Sequence, residues 1–157
     1  PLPEAQLDRF MFNIMVNYPT RNEEVSIVSS TTSNIDIKHK PIMTKKDIIE
    51  FQSFIPKVPI AESVVEFAVD LVNSTRPSNK SSSFAKKWIE WGAGPRASQY
   101  LVLGAKAKAL LDGKSSPSIK DIKSLALPIL RHRIIPNFNA DAEGMKVEDI
   151  INELLKS

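Results

Sequence analysis

The 157-residue sequence contains no cysteine. Disulfides and thiolate metal sites are therefore excluded, and a reducing compartment, the cytoplasm, is expected. Apolar stretches such as Ile14-Met15-Val16 and Leu101-Val102-Leu103 fall far short of the ~20 residues that a membrane-spanning helix needs. Only five glycines occur, Gly92, Gly94, Gly104, Gly113 and Gly144, and none opens a helix after a strand in the G-x-x-x-x-G-K-[ST] pattern of a phosphate loop. No apolar strand ends in paired acids of the kind that hold magnesium, and no G-x-S-x-G elbow presents a nucleophilic serine. The two histidines, His39 and His132, are far apart and lack a partner at i+4, so no metal site is expected. The net charge of +3 is too small to argue for nucleic acid. What remains is ordinary globular composition, 42% hydrophobic and 25% charged, enough for one domain or one domain plus part of another. The chain holds no self-sufficient active site that its motifs reveal.

The patterning is mainly helical. Pro1 and Pro3 suit the first turn of a short helix ending near Asp8. Phe10 to Tyr18 is aromatic and β-branched, is bounded by Pro19, and reads as a strand whose neighbours lie elsewhere. Arg21 to Ser30 predicts a helix. Thr44-Lys45-Lys46-Asp47 and Ser118-Ile119-Lys120-Asp121 are capping boxes that open two more. Ile60 to Thr75 carries Ile60, Val64, Val65, Ala68, Leu71 and Val72 on one stripe. The polar run Ser78 to Ser83 predicts a loop, and Phe84 to Trp91 a short element. Arg96 to Leu111 is an alanine-rich helix whose small residues admit a close neighbour, closed by Asp112-Gly113. Pro128 falls near the end of the helix begun at Ser118, Arg131 to Pro136 is irregular, and Val147 to Leu155 shows a single apolar face. These periods give five or six helices after one strand. The boundary falls between Tyr18 and Asn22, with residues 1–19 ending an α/β domain and residues 20–157 forming an all-α domain.

Three strings sharpen this. Leu2-Pro3-Glu4-Ala5-Gln6-Leu7-Asp8-Arg9-Phe10, followed by the apolar segment, resembles the part of the MoxR-family AAA+ ATPases that carries the trans-acting arginine. Trp91-Gly92-Ala93-Gly94-Pro95-Arg96-Ala97-Ser98 resembles the sensor-2 segment of that family, with Gly94 where a serine is usual, which removes a potential N-cap hydroxyl. Leu130-Arg131-His132-Arg133-Ile134 matches a string that follows the late helix there, and Asp141 to Gly144 with the closing Ile150-Ile151-x-x-Leu154-Leu155 fits the family's tail. The resemblance spans nearly the whole chain. It implies the C-terminal part of a MoxR-type ATPase: an arginine-finger helix, the last core strand and a helical AAA+ lid domain of about five helices. It also implies Arg9 as a finger reaching the neighbouring subunit's ATP and Arg96 as the sensor-2 arginine on its own subunit's ATP. ATP and Mg2+ would be bound by the complete protein and not by this chain alone. Partners would be sister subunits of a homo-oligomeric ring, a hexamer, and a client protein in a chaperone-like role. On that reading the opening residues lie inside a longer protein.

Spacing alone leaves plainer roles open. Arg9 fits a cation at a helix C-terminus, pairing with Glu4 or Asp8, and Arg96 fits an exposed residue after an ordinary Gly-Pro helix start. The Arg131-His132-Arg133 cluster reads as a structural pairing with Asp141 or Glu143 as readily as a ligand contact. Lys106, Lys108, Lys114, Lys120 and Lys123 read as a solvated face without interleaved aromatics, and Trp88 and Trp91 as core or interface anchors. The competing class is a stand-alone helical interaction module, an adaptor or nucleic-acid binder.

Overall fold

The computed structural model describes residues 2–33, 40–78 and 83–156. Among the described residues the chain forms nine α-helices: α1 (Glu4–Leu7), α2 (Arg21–Thr31), α3 (Lys45–Phe54), α4 (Glu62–Ser74), α5 (Ser83–Trp88), α6 (Pro95–Leu111), α7 (Ile119–Leu130), α8 (Phe138–Glu143) and α9 (Val147–Leu154). A 3-10 turn, Ile55–Lys57, follows α3, and two short strands, β1 (Ile89–Trp91) and β2 (Ile135–Pro136), pair antiparallel with Trp91 opposite Ile135. The mainly α architecture expected from the periodicity is present. The helices beyond the expected five or six are single-turn pieces, and Asn137, which begins α8, accepts from Ala140 N–H at 3.1 Å.

The core forms where the apolar stripes meet. Ala68 and Val72 of α4, Leu101 and Ala105 of α6, Ile122, Ala126 and Ile129 of α7, and Ile150 and Ile151 of α9 are all removed from solvent. Each large aliphatic contributes about 1.5–3 kcal/mol by leaving water. The small residues of α6 have the role expected of them. A side chain on Gly104 would stand 3.0 Å from Leu125 of α7 and 3.2 Å from Met11. Gly113, at φ 72°, closes α6 as a left-handed cap.

The strand expected over Phe10 to Tyr18 does not form. An isolated strand leaves a row of N–H and C=O groups unpaired, and among the described residues no strand lies beside this one. One backbone bond, from Asn13 N–H to Pro128 C=O at 2.8 Å, fastens the segment to α7. Ile14, Val16 and Tyr18 stay exposed. The helices α2 and α3 form from their caps, Thr20 with Glu23 and Thr44 with Asp47, but bury no side chain. Residues 79–82 of the predicted polar loop, and His39, lie outside the described residues.

Asp121 is the buried anchor of the α7 cap. Its Oδ2 accepts from Ser118 N–H and Oγ–H at 2.8 and 2.7 Å, and its Oδ1 from Lys114 Nζ at 2.9 Å. Burial alone would push its pKa up, but the hydrogen bonds from Lys114 and Ser118 outweigh it and hold the carboxyl at about 2. A depressed folded-state value stabilises above the ordinary carboxylate range, and that stabilisation disappears as pH falls toward 2. Asp121→Asn should therefore cost about 1–3 kcal/mol at neutral pH. In urea-unfolding midpoints compared pH by pH, the gap from wild type should close between about pH 4 and pH 2. A gap unchanged over that window would contradict the assignment.

Candidate functional site

The chain turns at Asp8, Arg9 and Phe10 immediately after α1, and side chains from distant parts of the sequence hold the turn, Arg133 with the most bonds. Arg133, one residue before the short segment leading to β2, is 1% exposed at its side chain. Its Nε donates to Asp8 Oδ1 at 2.9 Å. Its Nη2 donates to the carbonyls of Asp8 at 2.7 Å and Phe10 at 2.6 Å, and its Nη1 to Ile129 C=O. The Tyr100 ring lies against the guanidinium, with its centroid 5.2 Å away. Burial lowers the Arg133 pKa from its ordinary value, and the neighbouring Asp8 carboxylate opposes that shift. His132 adds a bond from Nε2 to Phe10 C=O at 3.0 Å. A carbonyl only accepts, so Nε2 carries the proton. Burial, with Arg133 alongside, also moves the His132 pKa below its ordinary value, although the Phe10 carbonyl favours the charged form. Arg131 faces Glu148 at 3.9 Å. The pairing considered for this cluster, with Asp141 or Glu143, is thus replaced by contacts with Asp8, Phe10 and Glu148.

Arg96 sits in the first turn of α6, directly after Pro95. Its position depends on the preceding turn, which is pinned to the end of α4. The buried Thr75 hydroxyl accepts from Ala93 N–H at 2.9 Å, and Arg76 Nε donates to Ala93 C=O at 2.8 Å. A Cβ on Gly92 would meet Thr75 C=O at 2.3 Å, so only glycine fits there, whereas Gly94 has open space around it. Gly92→Ala should lower the stability by about 1–3 kcal/mol, the usual cost of overpacking, read as a fall in the urea midpoint. An unchanged midpoint would show that the turn is not pinned.

Asp8 joins the two arginine-bearing elements. Its Oδ2 accepts from Arg96 Nη1 at 2.5 Å while Oδ1 is held by Arg133. Tyr100, one helical turn after Arg96, donates its hydroxyl to Arg9 C=O at 2.9 Å. The backbone of Arg9 is therefore fixed against α6. Its side chain is exposed, and no hydrogen bond or ion pair holds it among the described residues; the pairing with Glu4 or Asp8 that spacing allowed is not made. Arg96, by contrast, is engaged in an internal ion pair, yet its side chain keeps 43% of its exposure. Sequence reasoning missed Asp8 and Tyr100 as the connectors. The Asp8-Arg9 adjacency was visible, but the partners 88 and 125 residues away were not.

Four of the five lysines read as a solvated face have local partners. Lys106 donates to Pro56 C=O, Lys108 and Lys114 pair with Asp112, and Lys123 donates to Leu155 C=O. Trp88 is buried in the core and Trp91 is 69% exposed. Among the described residues no group of three His, Asp or Glu is placed to hold a metal ion, and no helix is long and apolar enough to cross a membrane.

Residues 82–154, the stretch that contains α5 to α9, match the AAA lid domain. Along its whole length the chain is 32% identical to Chaperone MoxR1 of Mycobacterium tuberculosis and 34% identical to Uncharacterized protein YeaC of Bacillus subtilis, covering 42% and 47% of those proteins. Protein MoxR of Paracoccus denitrificans is 26% identical over 85% of the chain, which covers 43% of that protein. A protein from Cytophaga hutchinsonii, solved at 2.00 Å and provisionally described as an ATPase, superposes with a TM-score of 0.88 at 35% identity, over 99% of this chain and 48% of that one. The chain thus spans less than half the length of each of these relatives. The chain carries an AAA lid domain and is similar along its whole length to proteins named for MoxR.

Proposed function

We propose that the chain supplies two guanidinium groups to ATP hydrolysis in a MoxR-type ATPase: Arg9 to the nucleotide of the neighbouring subunit, and Arg96 to the nucleotide of its own. The observation that carries this is the state of Arg9. Its main chain is fastened by Tyr100 and by the Arg133 network, while its guanidinium projects into solvent without a partner among the described residues. A rigidly mounted, unpaired cation suits recognition of a phosphate on another molecule, because a guanidinium offers two parallel donors and needs little reorganisation to act. Arg96 lies at the N-terminal end of a long helix, a favourable position for phosphate oxygens.

On this reading residues 1–19 end the α/β core and residues 20–157 form the lid. The phosphate loop and the acids that hold Mg2+ belong to the rest of the parent protein. The parent works as a homo-oligomeric ring, a hexamer, in the cytoplasm. It acts as a chaperone-like factor in assembling or activating a client protein. Nucleic acid is not a partner. The reading predicts that the 157 residues alone neither hydrolyse ATP nor bind it tightly, while the parent does both. Turnover by a clean preparation of this chain would overturn it. Binding to duplex DNA that weakens steeply with salt would favour the interaction-module reading instead.

A further inference from the structure

Asp8 holds two guanidinium groups at once, and they are unequal. Arg133 is enclosed and donates to the backbone carbonyls of Asp8, Phe10, Met11 and Ile129 besides the carboxylate, so it cannot leave without stranding those of Asp8 and Ile129. Arg96 is half-open to solvent, and Asp8 is the one partner its side chain shows among the described residues. The donors that Arg96 gives to Asp8 are those a phosphate would take, and a di- or triphosphate carries more charge than one carboxylate. Of the two contacts on Asp8, the one to Arg96 is exchangeable and the one to Arg133 is permanent.

We propose that Asp8 is a positioning residue that latches Arg96. Without nucleotide it keeps the Arg96 guanidinium in the Asp8 Oδ2 pair, and nucleotide phosphate must displace it to bind. The proposal rests on the reading that Arg96 meets the ATP of its own subunit. If a fraction of Arg96 is always occupied by Asp8, the apparent affinity for nucleotide is lowered by that fraction. Releasing the latch should therefore tighten binding, which loss of a merely structural contact would not do.

The test is equilibrium titration of the full-length parent with a slowly hydrolysed ATP analogue, comparing wild type, Asp8→Asn, Arg96→Ala and the double variant. Asparagine keeps an oxygen for Arg133 and loses the charge that holds Arg96. Asp8→Asn should bind the analogue about two- to fivefold more tightly, the range for a part-exposed ion pair, and should have no effect once Arg96 is alanine. Unchanged or weaker binding by Asp8→Asn, with Arg96→Ala weakened, would overturn the latch alone. Tightening that persists in the Arg96→Ala background would overturn it too. An Arg96→Ala protein that binds like wild type would remove the cis role of Arg96, and the latch with it. If Asp8→Asn does not fold, a crystal structure of the wild-type parent with the analogue decides. Arg96 off Asp8 with Arg133 still on it supports the latch, and Arg96 still on Asp8 overturns it.

Discussion

Replacing Arg9 with alanine in the full-length parent should lower ATP turnover by about 10³–10⁵-fold, the usual contribution of an arginine finger, while leaving stability within about 0.5 kcal/mol of wild type. The two expectations follow from the same geometry. The guanidinium makes no contact that the fold depends on, so its removal costs little; the turn that carries it is held instead through its carbonyls, by Tyr100 and Arg133. A group that acts only on the charge developing in phosphoryl transfer should appear in kcat far more than in KM. The trans role adds a further requirement. Subunits lacking Arg9 should regain activity when mixed with subunits that keep Arg9 but carry a disabled phosphate loop, because each then completes the other's site. Steady-state kinetics on mixed rings decides this. Turnover equal to wild type in the variant, or no recovery on mixing, would remove the finger assignment. A collapse in stability alongside the activity would show that Arg9 is structural after all.

The helices were largely legible because their signals are local. The Thr44–Asp47 and Ser118–Asp121 caps formed as their spacing indicated, and Asp112-Gly113 closed α6. Elements whose signals are shorter than their periods were missed. Three residues of β1 and two of β2 cannot show an alternation, and α8 offers six residues between Asn137 and Gly144. The strand over Phe10 to Tyr18 fails for the opposite reason. Its side chains suit a sheet, but pairing is supplied by a neighbour, and local composition cannot create one. At the site, the positions of Arg9 and Arg96 were read from strings, whereas their electrostatic state was not. Whether an arginine is free or engaged depends on which carboxylate folding brings to it, and here Asp8 reaches Arg96 across 88 positions of sequence.

Arg133 shows how far that long-range pairing matters to the site. Arg133→Met should destabilise the isolated 157-residue chain by about 3–5 kcal/mol, as when one partner of a buried ion pair is removed. Methionine fills much of the volume but donates nothing. The carbonyls of Asp8 and Ile129 then lose their donor, that of Phe10 keeps only His132, and the Asp8 carboxylate is left with the exposed Arg96 alone. Arg133→Lys should rescue little of the loss, because one ammonium cannot meet acceptors spread around a planar fork or stack against the Tyr100 ring as a guanidinium does. The reverse substitution, Asp8→Asn, should cost less than Arg133→Met, since Asp8 is 30% exposed and asparagine still accepts from Arg133. Urea denaturation of the three variants orders them. If Arg133→Lys proves as stable as wild type, a simple positive charge is sufficient and the multidentate staple is not what fixes the turn. If Arg133→Met unfolds with the wild-type midpoint, the segment bearing Arg9 is not fastened to the lid by this residue, and the rigid mounting on which the finger assignment relies must come from elsewhere.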